Sequence, residues 1–381
     1  VRGDKVIWRI VLILAFMSIL IIYSSTSPLV SRNQSIFYYL LEQTFYVGLS
    51  LFLVYLFHNI PVGFYRKIAY FALAFSILLL LLTLAFPAQI STDKQAYRWI
   101  TVPLIGLNLQ TSDVAKIGLI IYLAKVLEDN KLDTFKQFGL KILLPVAVIC
   151  LLVVYGNFST AALIGVTSIS IMYIGGVKRR YLLYTLGLVF TGLLMILLIG
   201  TVFPKAFPRV TTAVARVTRF VDKDPAASSG DNFQAEQAKI AVASGGVVGV
   251  GPGNSTQRYI LPQAYSDFVY AIVAEEYGFV GALVFLLLYL WLLFRAVLIA
   301  KKCTKKFPMI VVLGLMLLIV FQAMINMGVS VGVFPVTGQT LPLISKGGTS
   351  MVFMSVAFGI ILAFSRAADD KDLAYPQEEL A

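Results

Sequence analysis

Histidine is almost missing from this chain, since His58 is its single copy in 381 residues. That sets aside a histidine metal cluster and histidine acid–base catalysis. Cysteine is nearly as scarce. Cys150 lies in an apolar run and Cys303 in a basic stretch, which gives neither a CxxC pair nor a disulfide framework. Charged residues make up only 13% of the chain, too few for the surface of a soluble protein of this length. In their place stand 59% hydrophobic residues and a mean hydropathy of +0.86. Long apolar runs recur from end to end, so the composition describes an integral membrane protein without a separate soluble domain.

The net charge of +12 would suit nucleic acid, but the basic residues fall in short clusters between apolar runs, as juxtamembrane anchors do. No nucleic-acid partner is expected. Runs long enough to span a hydrocarbon layer of about 30 Å occur near 6–26, 37–57, 68–87, 112–128, 138–156, 159–175, 181–203, 267–300, 308–330 and 347–366. The fold class expected is therefore an all-α polytopic membrane protein of ten transmembrane helices forming one domain over 1–381, with both ends on one side. The first run follows Arg2, Lys5 and Arg9 without a small-residue cleavage site, and so reads as a retained helix.

Nineteen Lys and Arg lie at one face of this arrangement, among them Lys178, Arg179, Arg180, Lys301, Lys302, Lys305 and Lys306. The short loops of the other face carry only Arg32, Lys94, Arg98 and Lys346. By the positive-inside rule the termini, including a tail at 367–381, are cytoplasmic, and the long loop 204–266 between helices 7 and 8 is extracytoplasmic. Within that loop, VTTAVARVTRFVDKDP spaces apolar residues at helical intervals with arginines between them, which suggests an amphipathic helix lying on the membrane surface.

Polar residues at membrane depth mark where chemistry is possible, because lipid cannot solvate them. In RWITVPLIGLNLQTSDVAKIG, Arg98 and Gln110 precede Asp113 and Lys116, whose spacing puts them on one helical face. That lysine is either neutralised by the aspartate or used to hold an anion. The run GGVVGVGPG contains GxGxG, but no strand of a βαβ unit precedes it. Two readings remain for it: a loop whose backbone N–H groups approach an anion, or a bend between helices. Asp267 opens the eighth span, as a general base or as an N-cap. Glu275 lies about 12 Å deeper and roughly 80° round the helix, and with Glu276 suits helix-to-helix hydrogen bonds. Near the end, Pro335, Gly338, Pro342, Gly347 and Gly348 break an apolar helix, so Asn326, Thr337, Ser345 and Lys346 are expected to line the same cavity as Asp267.

Taken in order, these stretches resemble the SEDS family (shape, elongation, division and sporulation), the polytopic polymerases of bacterial peptidoglycan. RWI with QTSDVAK is similar to the family's RW…QPSE…K, with Thr111 for Pro and Asp113 for Glu. GNFSTA at 156–161 stands where the family has PDxGTA, so Asn157 lacks the charge of its counterpart. GVGPGNSTQRYILPQAYSDFVYAIVAEEYGFVGAL is close to the family signature, whose aspartate falls on Asp267, and PVTGQTLPLISKGGTS resembles PVTGxxLPxxSYGGSS with Lys346 for Tyr. Gly253-Asn254-Ser255 and Thr340 favour the division branch over the elongation branch.

The resemblance implies a glycosyltransferase that polymerises lipid II at the outer leaflet and releases undecaprenyl pyrophosphate. On that implication Asp267 is the catalytic base, and Arg98, Gln110, Asp113, Lys116, Arg216, Arg219, Asn254, Ser255 and Lys346 form the substrate-binding set. A divalent cation, Mg or Mn, is the candidate cofactor. A class B penicillin-binding protein and other division proteins are the implied partners, at the bacterial cytoplasmic membrane of the septum. A lipid II flippase and a non-catalytic scaffold that recruits a penicillin-binding protein are the rival readings.

Overall fold

The computed structural model describes residues 2–26, 36–86, 88–91, 94–96, 99–101, 108–129, 134–202, 208–222, 230–261, 264–346 and 348–369. The apolar runs become helices within a few residues of the expected limits. In chain order they are α1 (Lys5–Thr26), α2 (Ile36–Asn59), the short α3 (Val62–Lys67), α4 (Ala69–Ala85) and α5 (Thr111–Glu128). A single turn α6 (Phe135–Phe138) runs through a π-helical segment (Gly139–Leu143) into α7 (Leu144–Gly156), followed by α8 (Phe158–Ile174) and α9 (Arg179–Val202). The long loop holds α10 (Pro208–Asp222) and α11 (Gly230–Gly245), and α12 (Val269–Lys302), α13 (Lys306–Ser330) and α14 (Thr349–Asp369) complete the fold.

Among the described residues, six helical segments are long and apolar enough to cross a membrane: 5–25, 37–59, 135–156, 269–302, 306–330 and 349–369. α4 and α8 are apolar but of 17 residues, about 26 Å of helix, somewhat short of the hydrocarbon thickness. The expectation of a purely helical chain needs one amendment. Two small antiparallel hairpins precede α5, one of β1 (Ala88–Ser91) with β2 (Lys94–Ala96), the other of β3 (Trp99–Thr101) with β4 (Asn108–Gln110). Strands of three or four residues have no period long enough to read.

α13 sits at the centre, packed by α12, α5, α8 and α14, and its Ile310, Val311, Val312, Leu315, Met316 and Ile319 are fully buried. Lipid gives no hydrophobic drive between helices, so close contact depends on small residues. Gly359 of α14 shows this. A Cβ there would come within 2.8 Å of the Val54 carbonyl oxygen of α2, so any larger residue would push the two helices apart. The outer surface is apolar in compensation, with Phe16, Phe45, Phe71 and Leu183 exposed where a bilayer would cover them.

α10 forms where the amphipathic pattern placed it. α11, by contrast, falls in a stretch expected to be loop. Its Ala238 and Ala241 are buried in a small apolar cluster with Leu261, Ala264, Phe268 and Ile272, so it roofs the start of α12.

Candidate functional site

Two interruptions of helix build the site. Residues 264–268 turn into α12, and residues 331–346 return from α13 toward α14 without regular structure. Backbone left unpaired in this way must be satisfied by side chains. α13 supplies two of them, Gln322 and Asn326, spaced four residues apart. The buried Asn326 donates its Nδ2 to the Asp267 carbonyl and to the Gln339 carbonyl, both at 2.7 Å. Ser345 donates its Oγ to the Ser266 carbonyl at 2.6 Å and accepts from the Leu341 amide at 2.8 Å. The Lys346 amide donates to the Tyr265 carbonyl at 2.9 Å. The two non-helical segments are thereby held as one unit.

Asp267 is half-buried in that unit, and Ser266 donates its hydroxyl to Asp267 Oδ1 at 2.9 Å. The N-cap alternative is not what the fold builds: α12 begins at Val269, Phe268 occupies the cap position, and no side chain caps the helix. The carboxylate is fixed through its backbone instead. Beside it, burial first, with Tyr39 and Asp267 adding to it, holds the Tyr265 phenol above its ordinary value.

Beneath this unit lies the Asp113–Lys116 pair. Lys116 Nζ donates to Asp113 Oδ1 at 2.7 Å and to Gln322 Oε1 at 3.1 Å, with both charged side chains at 1% exposure or less. Of the two readings open to this lysine, self-neutralisation by the aspartate is the one present in the fold. Gln110 reaches the same carboxylate at 3.4 Å, and Asp113 Oδ2 is buried without a hydrogen-bond partner. Gln322 turns its other end to the Thr340 carbonyl at 3.0 Å. Lys116 is therefore joined to the Asp267 segment through Gln322, Thr340 and Asn326.

Lys346 closes the other side. Its Nζ pairs with Glu42 Oε2 of α2 at 2.7 Å and lies 4.2 Å from the centre of the Tyr39 ring. The chain reaches it through Leu343, buried with φ of 64°, a conformation that costs a branched side chain about 1–3 kcal/mol and so persists only where the surroundings impose it. Tyr289 donates to the Pro342 carbonyl on one side of it, and Ser18 to the Ile344 carbonyl at 2.9 Å on the other.

The remaining residues of the expected binding set are placed less directly. Arg216, on α10, donates to the Val336 carbonyl at 3.3 Å, which ties the amphipathic helix to the same return segment. Arg98 and the side chain of Arg219 lie outside the described residues. Ser255 is buried with its hydroxyl against Glu275 and accepts from the Arg258 amide at 3.1 Å, so in this fold it serves a buried acid and not an open surface. Asn254 is exposed and donates to the Val250 carbonyl at 3.1 Å. Glu275 also accepts from the Thr256 amide and hydroxyl, each at 3.0 Å, and from the Gln257 amide at 3.3 Å, while Glu276 accepts from Ser24 of α1. The helix-to-helix role expected for the two acids holds for Glu276. Glu275 instead fixes the loop before α12.

Asn157, in place of a family aspartate, caps α8 by accepting from the Thr160 amide at 3.2 Å, and Thr160 receives a hydrogen bond from Gln339 at 2.8 Å. Sequence reading passed over Gln322, Glu42 and Tyr39. For Gln322 a signal existed, a polar stripe at i, i+4, i+8 along an otherwise apolar span. Among the described residues no three His, Cys, Asp or Glu converge as a metal cage.

The family model described as "Cell cycle protein", covering FtsW, RodA and SpoVE, matches residues 4–370. A protein of Hydrogenovibrio crunogenus named probable peptidoglycan glycosyltransferase FtsW is 35% identical over 334 residues, 85% of this chain and 81% of that protein. One of the same name from Coxiella burnetii is 30% identical over 366 residues, 93% and 94% of the two chains. Among solved structures, a chain from work on the coordination of polymerization and crosslinking by a peptidoglycan synthase complex aligns at TM-score 0.76 and 26% identity, over 96% of this chain and 98% of that one. The Thermus thermophilus rod shape determining protein RodA aligns at TM-score 0.68 and 24% identity over 96% and 97%, which bears on the fold alone.

Proposed function

The chain belongs to the FtsW, RodA and SpoVE family of cell cycle proteins, and from that premise we propose that it is a peptidoglycan glycosyltransferase of the FtsW type that polymerises lipid II during cell division. Relatives bearing that activity in their names align over more than four-fifths of their own length. The observation that carries the site assignment is Asp267, a half-buried carboxylate whose backbone is pinned by Asn326 in a segment shared with Ser345 and Lys346.

Chain extension requires the acceptor GlcNAc 4-hydroxyl to attack the MurNAc anomeric carbon of the lipid-linked donor. The new C–O bond forms as the bond to the diphosphate breaks, undecaprenyl pyrophosphate departs with the electron pair, and the hydroxyl proton must be removed. Asp267 is the base for that proton. It meets the geometric need of a general base: a carboxylate at the boundary of protein and solvent, on backbone that cannot drift. Leaving-group charge calls for cations. Arg98, Arg216, Arg219 and Lys346 are the candidates at the outer face. Gln110 and the buried Asp113–Lys116 pair support the floor, with Lys116 linking Asp113 to Gln322 and through it to the return segment.

A caged metal does not suit the described residues, but Mg²⁺ or Mn²⁺ carried by a diphosphate does, because such ions bind through one or two carboxylates plus substrate phosphates. Such an ion would be held by the oxygens of the diphosphate itself and would supply neutralisation of leaving-group charge, while Asp267 keeps the role of base. The basic clusters at 178–180 and 301–306 support cytoplasmic termini and a site at the outer face. A class B penicillin-binding protein is the proposed partner, consistent with similarity to a chain of a peptidoglycan synthase complex, with other division proteins at the septum.

The test is to supply lipid II to the purified protein in proteoliposomes and follow glycan strands and lipid movement separately. The proposal expects polymer from lipid II present in the leaflet of the site. Translocation without polymer would mean a flippase, and neither activity with retained partner binding would mean a scaffold.

A further inference from the structure

In the glycine run GGVVGVGPG the Gly249, Val250 and Gly251 amides donate to carbonyls of the protein itself. The run fills a break in α12. Gly278, nine residues into that helix, has φ of 67° and ψ of −168°, a region open essentially only to glycine, and the helical ladder stops there. The run supplies the missing partners: the Val250 and Gly251 amides donate to the carbonyls of Glu275 and Glu276, each at 3.0 Å. In return the Phe279 and Val280 amides donate to the carbonyls of Gly246 and Val247, at 2.9 and 3.2 Å. The two backbones lie so close that a Cβ on Gly249 would fall 2.2 Å from the Glu276 oxygen, and one on Gly278 would fall 2.4 Å from the Gly249 nitrogen.

The depth of this junction follows from α12 itself. Its other end carries Lys301 and Lys302, and Arg295, which pairs with Asp4, marks the polar boundary on that side. From Arg295 back to Phe279 is 16 residue steps, about 24 Å of rise, inside a hydrocarbon layer of about 30 Å. Phe279 and Val280, exposed by 64% and 54%, thus lie within the far edge of that layer. The run hydrogen-bonded to them cannot be at a very different depth. Its own side chains point away from the protein: Val247 is 67%, Val248 80% and Val250 42% exposed.

We propose that residues 246–250 form a re-entrant loop whose valine tip is immersed in the acyl chains of the leaflet opposite the Lys301–Lys302 end, continuing the lipid-facing surface of α12. The occupant of this patch is hydrocarbon and not a protein, because Phe279 and Val280, with which it is continuous, already belong to a membrane-spanning face. The loop seals the broken helix within the protein, as backbone at membrane depth requires, and ties α12 at Gly278 to the segment that holds Glu275 through Ser255, Thr256 and Gln257. It rests only on α12 crossing the bilayer, and is independent of the enzymatic reading.

The test is an environment-sensitive fluorophore on Val248→Cys, in full-length protein carrying Cys150→Ala and Cys303→Ala, reconstituted into phosphatidylethanolamine–phosphatidylglycerol nanodiscs. The same label on Glu236→Cys, at an exposed and charged position of α11, serves as the aqueous reference. The proposal expects the Val248 label to lose most of its emission to lipids with a doxyl group on the acyl chain and little to iodide, and the Glu236 label to behave in the opposite way. Iodide quenching of both labels alike would overturn it. So would a Val248 label shielded from iodide and doxyl lipid together, since that would mean a protein cover. Retained size-exclusion behaviour of each labelled protein shows that the labels report the folded state.

Discussion

Replacing Asn326 with alanine separates the positioning of Asp267 from the stability of the bundle. The side chain is 1% exposed and its amide makes two 2.7 Å hydrogen bonds, to the carbonyls of Asp267 and Gln339. Hydrogen bonds inside membrane proteins average about 0.6 kcal/mol, so losing both costs roughly 1 kcal/mol. The cost rises toward about 3 kcal/mol if the two carbonyls are left dry and unpaired. A protein of this size tolerates either value with its helices in place. Catalysis is more sensitive, because a displacement of about 1 Å at a reacting group can cost about 10²-fold in rate. Lipid II polymerisation, normalised to protein that elutes as a single folded species, should therefore fall by about 10 to 10² in Asn326→Ala. Ser330→Ala is the control. Its hydroxyl donates only to the Asn326 carbonyl at 3.0 Å, within the same helix, so polymerisation should be unchanged. If Asn326→Ala polymerises at the wild-type rate on equal folded protein, the asparagine does not position the site and the account of its geometry fails.

Removing Lys116 alone, as Lys116→Met, should destabilise the fold by about 3–5 kcal/mol, because Asp113 is then a buried charge without its partner. Combining it with Asp113→Leu should restore thermal stability but not polymerisation, whereas full activity in the double variant would make the pair purely structural. Gly278→Ala should lower the unfolding midpoint in detergent, with a strain of about 1–3 kcal/mol before any steric clash, and an unchanged midpoint would show the α12 break to be dispensable. In intact cells, an impermeant thiol reagent should reach Asn254→Cys from outside and Lys302→Cys only after permeabilisation. The reverse pattern would invert the topology and move the site to the wrong side of the membrane.

The helices were legible because their signal is long: a run of bilayer length tolerates errors of a few residues, and α1, α2, α5 and α12 to α14 all begin and end close to where hydropathy places them. What was hidden depends on contacts between distant segments. Nothing local in GGVVGVGPG distinguishes a loop awaiting an anion from one docked into a broken helix, since the break at Gly278 lies thirty residues downstream of Val248. α11 was missed because its buried face is alanine, too weakly apolar to set a period against the polar residues around it. For Asp267 the sequence left a base and a cap open, and the cap could be set aside only once Phe268 was seen at the cap position. Asp113 and Lys116 announced a pair by spacing, but their third member, Gln322, comes from a helix two hundred residues away.

The most direct test is polymerisation of lipid II by the purified protein with Asp267 intact and as Asp267→Asn. Asparagine keeps the size of the side chain and can still accept from Ser266, while it cannot take up the acceptor proton. Glycan strands should form with the intact protein and fall by about 10² or more in the variant, the scale of a positioned general base, with elution profile and thermal midpoint unchanged. Near-normal strand formation by folded Asp267→Asn protein would contradict the assignment and move the catalytic base elsewhere in the site.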